Sequence, residues 1–325
     1  LVDKIEKVIL KYYGTEKCTI ADIFGGTGVV AKHFFDQGYN VIVNDFLYSN
    51  YIAYKTWISN DDIDIVKVQK LLDNYNEVNA TKLKENYFSK IYGRKYFSEN
   101  DAKKIGFIRE DIESKKKDLK EREYFALLTS LMYAADKIAN TVGHFEYFLS
   151  KDPVDKNPYL RMPLIIKETK SQATIYNIDA NKLIRKIKAD IIYVDPPYNA
   201  RQYINFYHVL ENLTRWNKPT EFEGNSMKFK RDNLKSGYSK SKAPQLMEDL
   251  VKNADCKLLI VSYNNTYDAK SGASNNKITE KELYEILSKK GKTDIIEMNY
   301  KSFNAGKTNL NNHKEKLYVC EVNKK

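Results

Sequence analysis

Apolar residues recur along the chain in alternating patterns, and the first of these patterns predicts one βαβ unit. The short apolar run Thr19–Ile23 ends in a glycine-rich turn, and a helical pattern that starts at Val29 ends at Gly38. A second apolar run, Val41–Val43, then leads to Asp45. The order strand, glycine turn, helix, strand over about 30 residues predicts a right-handed crossover between parallel strands.

The pattern changes at residue 56 and changes back at residue 168. Between these points charges are dense, apolar spacing is helical and strand-like runs are almost absent. The α/β pattern then resumes in the predicted strands Ala173–Ile178, Asp190–Val194, Leu258–Ser262, Asp294–Asn299 and Lys316–Val322. The prediction is an α/β fold: a doubly wound, mostly parallel, Rossmann-like sheet formed by 1–55 and 168–325, with a helical insertion at 56–167. The stretch 217–241 is polar and basic.

Composition narrows the class of protein. The 325 residues include 54 Lys and Arg against 43 Asp and Glu, a net charge of +11, and 42% are hydrophobic. That hydrophobic fraction excludes disorder as the default, and the positive excess favours a polyanionic partner without establishing one. No apolar run approaches the roughly 20 residues that span a bilayer, so we expect a cytoplasmic protein that does not enter membranes. Because the chain begins at Leu1 inside a predicted helix, we also expect a short native segment to precede it.

The first candidate site is the glycine-rich turn after the first strand. Glycines there permit a tight turn and close approach of a ligand to the backbone. A carboxylate at the end of the second strand can accept hydrogen bonds from both hydroxyls of a ribose, which suits NAD and S-adenosylmethionine equally; a turn needed only for packing is the alternative. The candidate cofactor-binding residues are Asp22, Phe24, Gly25, Gly26, Thr27, Gly28 and Asp45.

The second candidate site, Asp195-Pro196-Pro197-Tyr198, favours chemistry on an amine. It directly follows a buried-looking strand, and the ends of parallel strands are where ligands bind in open α/β sheets. Two prolines make the turn stiff and leave it carbonyls rather than N–H donors. A carboxylate beside a carbonyl can accept both hydrogens of an exocyclic NH₂ group, and Tyr198 offers a ring on which a base can stack. A nicotinamide enzyme has no use for this arrangement, so the pair of motifs points to S-adenosylmethionine.

With these two motifs in this order, the sequence resembles the adenine-N6 DNA methyltransferases. Phe24-Gly-Gly-Thr-Gly28 precedes Asp195–Tyr198 with a long segment between them, as in Dam-like enzymes, and the extended form through Tyr203 resembles FokI-type modification methylases. The resemblance implies transfer of a methyl group from S-adenosylmethionine to adenine N6 in double-stranded DNA. It further implies the modification half of a restriction-modification system, with a cognate endonuclease as a separate protein. Apart from the resemblance, we expect a monomer, because nothing in the sequence suggests a dimer interface.

The resemblance also implies roles for individual residues. Asp22 through Gly28 would line the methionine part of the cofactor, Asp45 would hold its ribose, and Asp179 would accept from the amino group of its adenine; a helix N-cap is the alternative for Asp179. The target adenine would be flipped out of the duplex onto Tyr198, and its amine would be held by Asp195 and the Pro196 carbonyl without a metal ion.

The candidate DNA contacts are basic residues in the insertion and in the stretch 217–241, together with Arg201 at the start of the helix after the Asp195 motif; the insertion is the expected target-recognition region. Lysine–phosphate contacts would give salt-dependent binding without reading bases, and solvated surface charge is the alternative for any single one. The candidates are Arg94, Lys95, Arg201, Lys228, Lys230, Arg231 and Lys235. Two other functions stay open from the sequence: an RNA adenine-N6 methyltransferase, and a non-catalytic DNA-binding subunit that keeps a relic of the fold.

Overall fold

The computed structural model describes residues 1–166, 169–264, 275–299 and 314–323. Its helices are α1 Val2–Tyr12, α2 Val29–Asp36, α3 Tyr48–Trp57, α4 Ile65–Asn76, α5 Tyr87–Tyr92, α6 Glu99–Ser114, α7 Glu121–Ile138, α8 Ala180–Leu183, α9 Tyr203–Arg215, α10 Ala243–Asn253 and α11 Glu280–Ser288. Its strands are β1 Thr19–Asp22, β2 Asn40–Asn44, β3 Ala173–Tyr176, β4 Ile191–Val194, β5 Phe222–Glu223, β6 Lys228–Phe229, β7 Leu258–Asn264, β8 Gly291–Asn299 and β9 Lys314–Val322.

Seven of these strands form one sheet in the order β3-β2-β1-β4-β7-β9-β8. The first five pair in parallel, whereas β9 runs antiparallel to both of its neighbours. The order of the strands reverses between β1 and β4, which is the switch point where ligands bind in doubly wound sheets. The prediction of an α/β, mostly parallel, Rossmann-like sheet is confirmed.

The centre of the sheet is apolar because both of its faces are covered. All four residues of β4 and all seven of β7 are buried. On one face, alternate residues such as Ile192 and Val261 pack with α8, α10 and α11. Strands that are buried on both faces read as continuous apolar runs, which is how β4 and β7 stand in the sequence.

The chain divides into two units, and the division differs from the predicted one. One unit, here the sheet unit, contains 1–46, 169–202 and 235–325; the other, here the helical unit, contains 47–168 and 203–234. The insertion therefore starts at Leu47 rather than at 56, since Ile52 and Ala53 of α3 belong to the helical core. Helix α9 joins the same core through Val209 and Leu213. The sequence could not indicate this, because α9 follows the Asp195 motif directly.

The basic stretch 217–241 contains a β-hairpin that its polar composition hides. Strands β5 and β6 pair antiparallel, with Phe222 opposite Phe229. Phe229 packs with Leu47 and Ile204 in a small apolar cluster of the helical unit. Two strands of two residues each are too short to produce a detectable alternation of apolar and polar positions.

None of the helices in the described parts of the chain has the length and apolar character required to cross a bilayer.

Candidate active site

The fold brings the two sequence motifs to adjacent strand ends. Strands β1 and β4 are neighbours in the sheet, with Asp22 opposite Tyr193 and a hydrogen bond of 3.3 Å from the Ile23 N–H to the Tyr193 carbonyl. Because both strands point the same way, the glycine turn and Asp195-Pro196-Pro197-Tyr198 start at the same edge of the sheet. These motifs are separated by about half the chain in sequence, so only the parallel β1–β4 pairing accounts for their proximity.

The glycine turn has backbone angles that other residues adopt at a cost. Gly26 has φ of 54° and Gly28 has φ of 76°, and Gly28 is the N-cap of α2. The turn is closed by a 2.8 Å hydrogen bond from the Gly28 N–H to the Gly25 carbonyl. Thr27 is exposed at its tip. A β-carbon at Gly26 would meet only the Phe24 carbonyl, 3.9 Å away, so the space above the turn is open.

The side chain of Phe24 packs inside the sheet unit, against Tyr238. Its ring meets that of Tyr238 edge to face, with centroids 5.1 Å apart. Tyr238 is buried, and its hydroxyl donates to Asn181 Oδ1 over 2.8 Å. Phe24 therefore anchors the turn to the helices behind it.

Asp45 links the end of β2 to the glycine turn. Its Oδ2 accepts from the Gly26 N–H over 2.8 Å. The preceding residue, Asn44, is buried; its carbonyl accepts from the Gly25 N–H, and its amide side chain bonds the Ile23 carbonyl and the Ile178 N–H. Sequence reasoning missed Asn44, although its place beside Asp45 at a strand end was a usable signal. Asn44 and Asp45 together fix the conformation of the turn.

Asp22 is a buried carboxyl in an unfavourable setting for a charge. It is only 2% exposed, and its Oδ1 has no hydrogen-bond partner among the described residues. Burial, with the negative charge of Asp45, raises the pKa of Asp22 to about 7, despite lowering contributions from the backbone of Phe24 and Ala31. A buried acceptor without a donor is costly, so a cationic or N–H-bearing ligand at this point is favoured.

The Asp195 motif is held in place at its last residue, Tyr198. The Lys277 N–H donates to the Tyr198 carbonyl over 2.8 Å, and the rings of Tyr198 and Tyr263 meet edge to face at 5.9 Å. Pro196 is buried, whereas Asp195, Pro197 and Tyr198 keep partial exposure. Withdrawal from water, then the charges of Glu315 and Asp22, raise the pKa of Asp195 to about 8, against a lowering contribution from Tyr193. In its ionised form, a carboxyl with such a raised pKa is a stronger proton acceptor than an ordinary aspartate.

Three polar residues lie near Asp195 outside the two motifs, and of these the sequence indicated only Ser262, as part of a loop 262–265 that borders the pocket. They are Tyr193 on β4, Ser262 on β7 and Glu315 on β9, and Ser262 donates to Glu315 Oε1 over 2.8 Å. Glu315 lies 120 positions after Asp195 in the chain. It reaches the site because β9 inserts next to β7, a pairing that the local pattern does not specify. Tyr193, two positions before Asp195 on the same strand face, could have been found from its spacing.

The acidic character of this edge discriminates between cofactors. Asp22, Asp45, Asp195 and Glu315 place carboxyl groups around the switch point. Those of these groups that are ionised would repel a pyrophosphate and attract a cofactor with an ammonium group and a sulfonium. The unpartnered Oδ1 of Asp22 and the open space above Gly26 fit S-adenosylmethionine better than NAD.

Asp179 has the geometry of the N-cap alternative. It precedes α8, and its Oδ1 accepts from the Lys182 N–H over 3.2 Å. Capping occupies one carboxylate oxygen, so a contact with the cofactor through this residue stays a prediction.

The predicted DNA contacts fall into different environments. In the helical unit Arg94 is exposed but paired with Glu99 over 2.6 Å, Lys95 donates to the Asn225 carbonyl over 3.4 Å, and Lys230 is exposed. Lys228 lies over the ring of Tyr147 at 5.4 Å, and burial lowers its pKa. In the sheet unit Arg201 is exposed, and Lys235 is partly exposed.

Arg231 differs from the exposed side chain that the charge pattern predicted. It is only 8% exposed, and it donates to Glu223 over 2.9 Å, to the Phe229 carbonyl over 3.0 Å and to Asn205 over 2.8 Å. These bonds hold the β5–β6 hairpin. Arg231 is therefore not a solvated surface charge, because a charged head inside a folded hairpin must be paired.

Known proteins that are similar to this chain are DNA methyltransferases, in agreement with the two motifs of the site. The family model described as D12 class N6 adenine-specific DNA methyltransferase matches residues 1–301. Modification methylase StsI of Streptococcus sanguinis is 36% identical over 97% of this chain and 49% of its own. Type II methyltransferase M.NlaIII of Neisseria lactamica is 32% identical over 92% and 90%, and M.FokI of Planomicrobium okeanokoites is 29% identical over 93% and 48%. The chain thus spans about half the length of StsI and M.FokI, and the resemblance stated from the motifs is confirmed.

Proposed function

The chain belongs to the D12 class of N6 adenine-specific DNA methyltransferases, and we propose on that premise that it methylates the N6 amine of adenine at specific sites in double-stranded DNA. S-adenosylmethionine supplies the methyl group in this class. The observation that carries the proposal is the pairing of β1 with β4, which sets the amine-binding carboxyl Asp195 beside the glycine turn.

The glycine turn and its neighbours are the cofactor side of the site. Asp22 accepts from the ammonium group of the methionine part, which supplies the partner that its Oδ1 lacks within the chain. The open backbone of the turn, Phe24 through Gly28, lies along the same part of the cofactor. Asp45 and Asp179 bind the ribose hydroxyls and the adenine amino group, respectively.

The Asp195 motif is the substrate side of the site. The amine of adenine is a weak nucleophile because its lone pair is delocalised into the ring. Accepting its two hydrogens at Asp195 Oδ and at the Pro196 carbonyl favours a pyramidal nitrogen with a directed lone pair. Tyr198 stacks on the extruded base, worth about 1–3 kcal/mol, which offsets part of the few kcal/mol that extrusion costs.

Recognition of DNA is assigned to the helical unit and to a set of basic residues. The helical unit acts as the target-recognition region. Phosphate contacts come from cations that are exposed or partly exposed. Arg231 is left out because it is buried and its Nε and Nη1 already donate to other residues of the helical unit. The assigned contacts are Arg94, Lys95, Arg201, Lys228, Lys230 and Lys235.

The names of the relatives suggest the biological setting. Since these relatives are modification methylases, the chain is proposed as the modification half of a restriction-modification system. It acts in the cytoplasm, as a monomer, and the cognate endonuclease is a separate protein.

The proposal is tested with labelled S-adenosylmethionine and three nucleic acids: plasmid duplex DNA, single-stranded RNA of mixed sequence and duplex DNA that lacks adenine. After digestion, nucleoside mass spectrometry should find N6-methyladenine only from the plasmid. Label in RNA but not in plasmid would favour an RNA enzyme instead. Label in no substrate, with DNA binding intact, would favour a non-catalytic subunit.

A further inference from the structure

One face of the sheet carries a row of polar residues that crosses four strands. Register places Asp22 of β1 opposite Tyr193 of β4, and the register of β4 with β7 (Val194 opposite Val261), continued by one residue, places Asp195 opposite Ser262. Strand β9 follows, with Asn264 of β7 opposite Glu315. Residues directly opposite each other, and residues two apart on one strand, share a face. Asp22, Tyr193, Asp195, Ser262 and Glu315 therefore all lie on the same face, near the carboxyl edge.

A hydrogen bond fixes the far end of this row. The Ser262 hydroxyl is on a fully buried residue and donates to Glu315 Oε1 over 2.8 Å. Because Ser262 sits across from Asp195, this bond holds the Glu315 carboxylate toward Asp195. The neighbouring Lys316 points to the opposite face, where it pairs with Glu280 over 2.7 Å, and does not neutralise Glu315.

We propose that Glu315 is a positioning residue of the methyl transfer: held by Ser262, it keeps a second carboxylate beside Asp195 and thereby makes Asp195 the acceptor of the proton that the adenine amine loses. This inference rests on the proposed function. It adds a residue outside both motifs. It also names the group that accepts the proton of the amine, which the motifs alone do not identify.

The chemistry requires such an acceptor. The amine enters the reaction with two N–H bonds and its bond to the purine ring. It leaves with one N–H bond, the ring bond and a new N–C bond to the methyl group, whose bond to the sulfur of the donor breaks. One N–H proton must therefore leave for each methyl group transferred. The proton goes to Asp195 as a carboxylic acid, and from there to water when the site reopens. A neighbouring carboxylate stabilises the protonated form of Asp195, since two carboxylates at close range resist being charged together.

The charges around Asp195 agree with this assignment. The titratable groups that act on it in the described structure are Glu315, Asp22 and Tyr193, and Glu315 is the stronger of the two acidic influences. Asp22 in turn is influenced by Asp45. The pKa of Asp195 is thereby raised to about 8, so that its ionised form is a stronger proton acceptor than an ordinary aspartate.

The test measures the pKa of Asp195 in two ways in the whole chain. The first is the pH profile of methylation of duplex DNA, whose acidic limb reports ionisation of Asp195. The second is the carboxyl ¹³C shift of Asp195, assigned with the Asp195→Asn variant and titrated without cofactor or DNA. In Glu315→Gln both should move about one pH unit toward acid, and the rate at high pH should fall. Glu315→Asp, which keeps the charge, should restore most of the wild-type profile.

Glu321→Gln is the matched control, because Glu321 lies on the same face of β9 but is exposed and far from the row. It should titrate as wild type. If Glu315→Gln and Glu321→Gln both leave the Asp195 titration unchanged, the inference is wrong even though methylation stands. If Glu315→Gln does not fold, Ser262→Ala serves instead, with a smaller shift in the same direction expected. A wild-type chain that methylates nothing would remove the proposed function, while the ¹³C titration would still decide whether Glu315 acts on Asp195.

Discussion

At the scale of single residues, the site contains two carboxyl groups, Asp195 and Asp22, whose ionised forms are destabilised by their surroundings. The pKa of Asp195 is raised to about 8 and that of Asp22 to about 7, by burial first and by neighbouring acids second. The folded chain therefore binds these protons more tightly than the unfolded chain, in which an aspartate has a pKa near 3.9. Such groups are compatible with a stable fold at low pH and destabilise it as the pH rises through the folded pKa.

Asp195→Asn should therefore raise thermal stability, and the gain should grow with pH. Near pH 4 the two proteins should melt within about 1 °C of each other, and by about pH 8.5 the variant should melt a few degrees higher, since the amide loses no proton. Calorimetry across this range measures the effect. Asp255→Asn, at an exposed position, is the control and should show no such trend. A gain independent of pH would mean that packing, and not the charge, explains it.

Asp22→Asn should weaken binding of S-adenosylhomocysteine without unfolding the turn. The neutral amide cannot form a charge-assisted hydrogen bond with the ammonium group of the ligand. The loss of one such bond should raise the Kd roughly tenfold to hundredfold. Isothermal titration calorimetry measures this, with Asp36→Asn, at the end of α2, as the control. An unchanged Kd would remove Asp22 from the cofactor side of the site.

At the scale of elements, the β5–β6 hairpin separates structural from exposed cations. Arg231 holds the hairpin through Glu223, Asn205 and the Phe229 carbonyl, whereas Lys230 next to it is exposed. The positive charges in this stretch therefore stand in two different environments, which net charge alone does not distinguish.

Lys230→Ala should change the salt dependence of DNA binding, whereas Arg231→Ala should change thermal stability. Lys230→Ala should leave the melting temperature unchanged and reduce the slope of log K against log salt by about one, as expected for one lost phosphate contact. Arg231→Ala should lower the melting temperature, since it leaves Glu223 and Asn205 without their partner. Fluorescence anisotropy at several salt concentrations and a thermal melt measure both. An equal salt slope for wild type and Lys230→Ala would exclude Lys230 from the DNA interface.

The elements that the sequence predicted best are those with local signals. The βαβ unit around the glycine turn and the buried strand β4 are continuous apolar runs bounded by turn residues, so their place was predictable. The strand β9 was predicted as well, but not its neighbours. Glu315 became part of the site only because β9 inserts between β7 and β8, and that long-range pairing leaves no mark on nearby residues.

At the scale of the whole molecule, two interrupted units share one chain. The sheet unit is assembled from three segments and the helical unit from two. Residues 47–55 and 203–234 were assigned to the wrong side of the predicted division because burial in a distant core, rather than composition, decides membership. The sequence also predicts that the loop 262–265 and the segment 300–307 border the pocket. Asn265 and residues 300–307 lie outside the described residues, so for them this stays a prediction.

The central claim is that Asp195 acts on the amine while the glycine turn and Asp22 hold the cofactor. Asp195→Ala tests it most directly, when binding of S-adenosylhomocysteine and formation of N6-methyladenine in duplex DNA are measured on the same preparation beside wild type. We expect a Kd within about threefold of wild type together with loss of methylation by at least about a thousandfold. Methylation by Asp195→Ala at a rate close to wild type would contradict it.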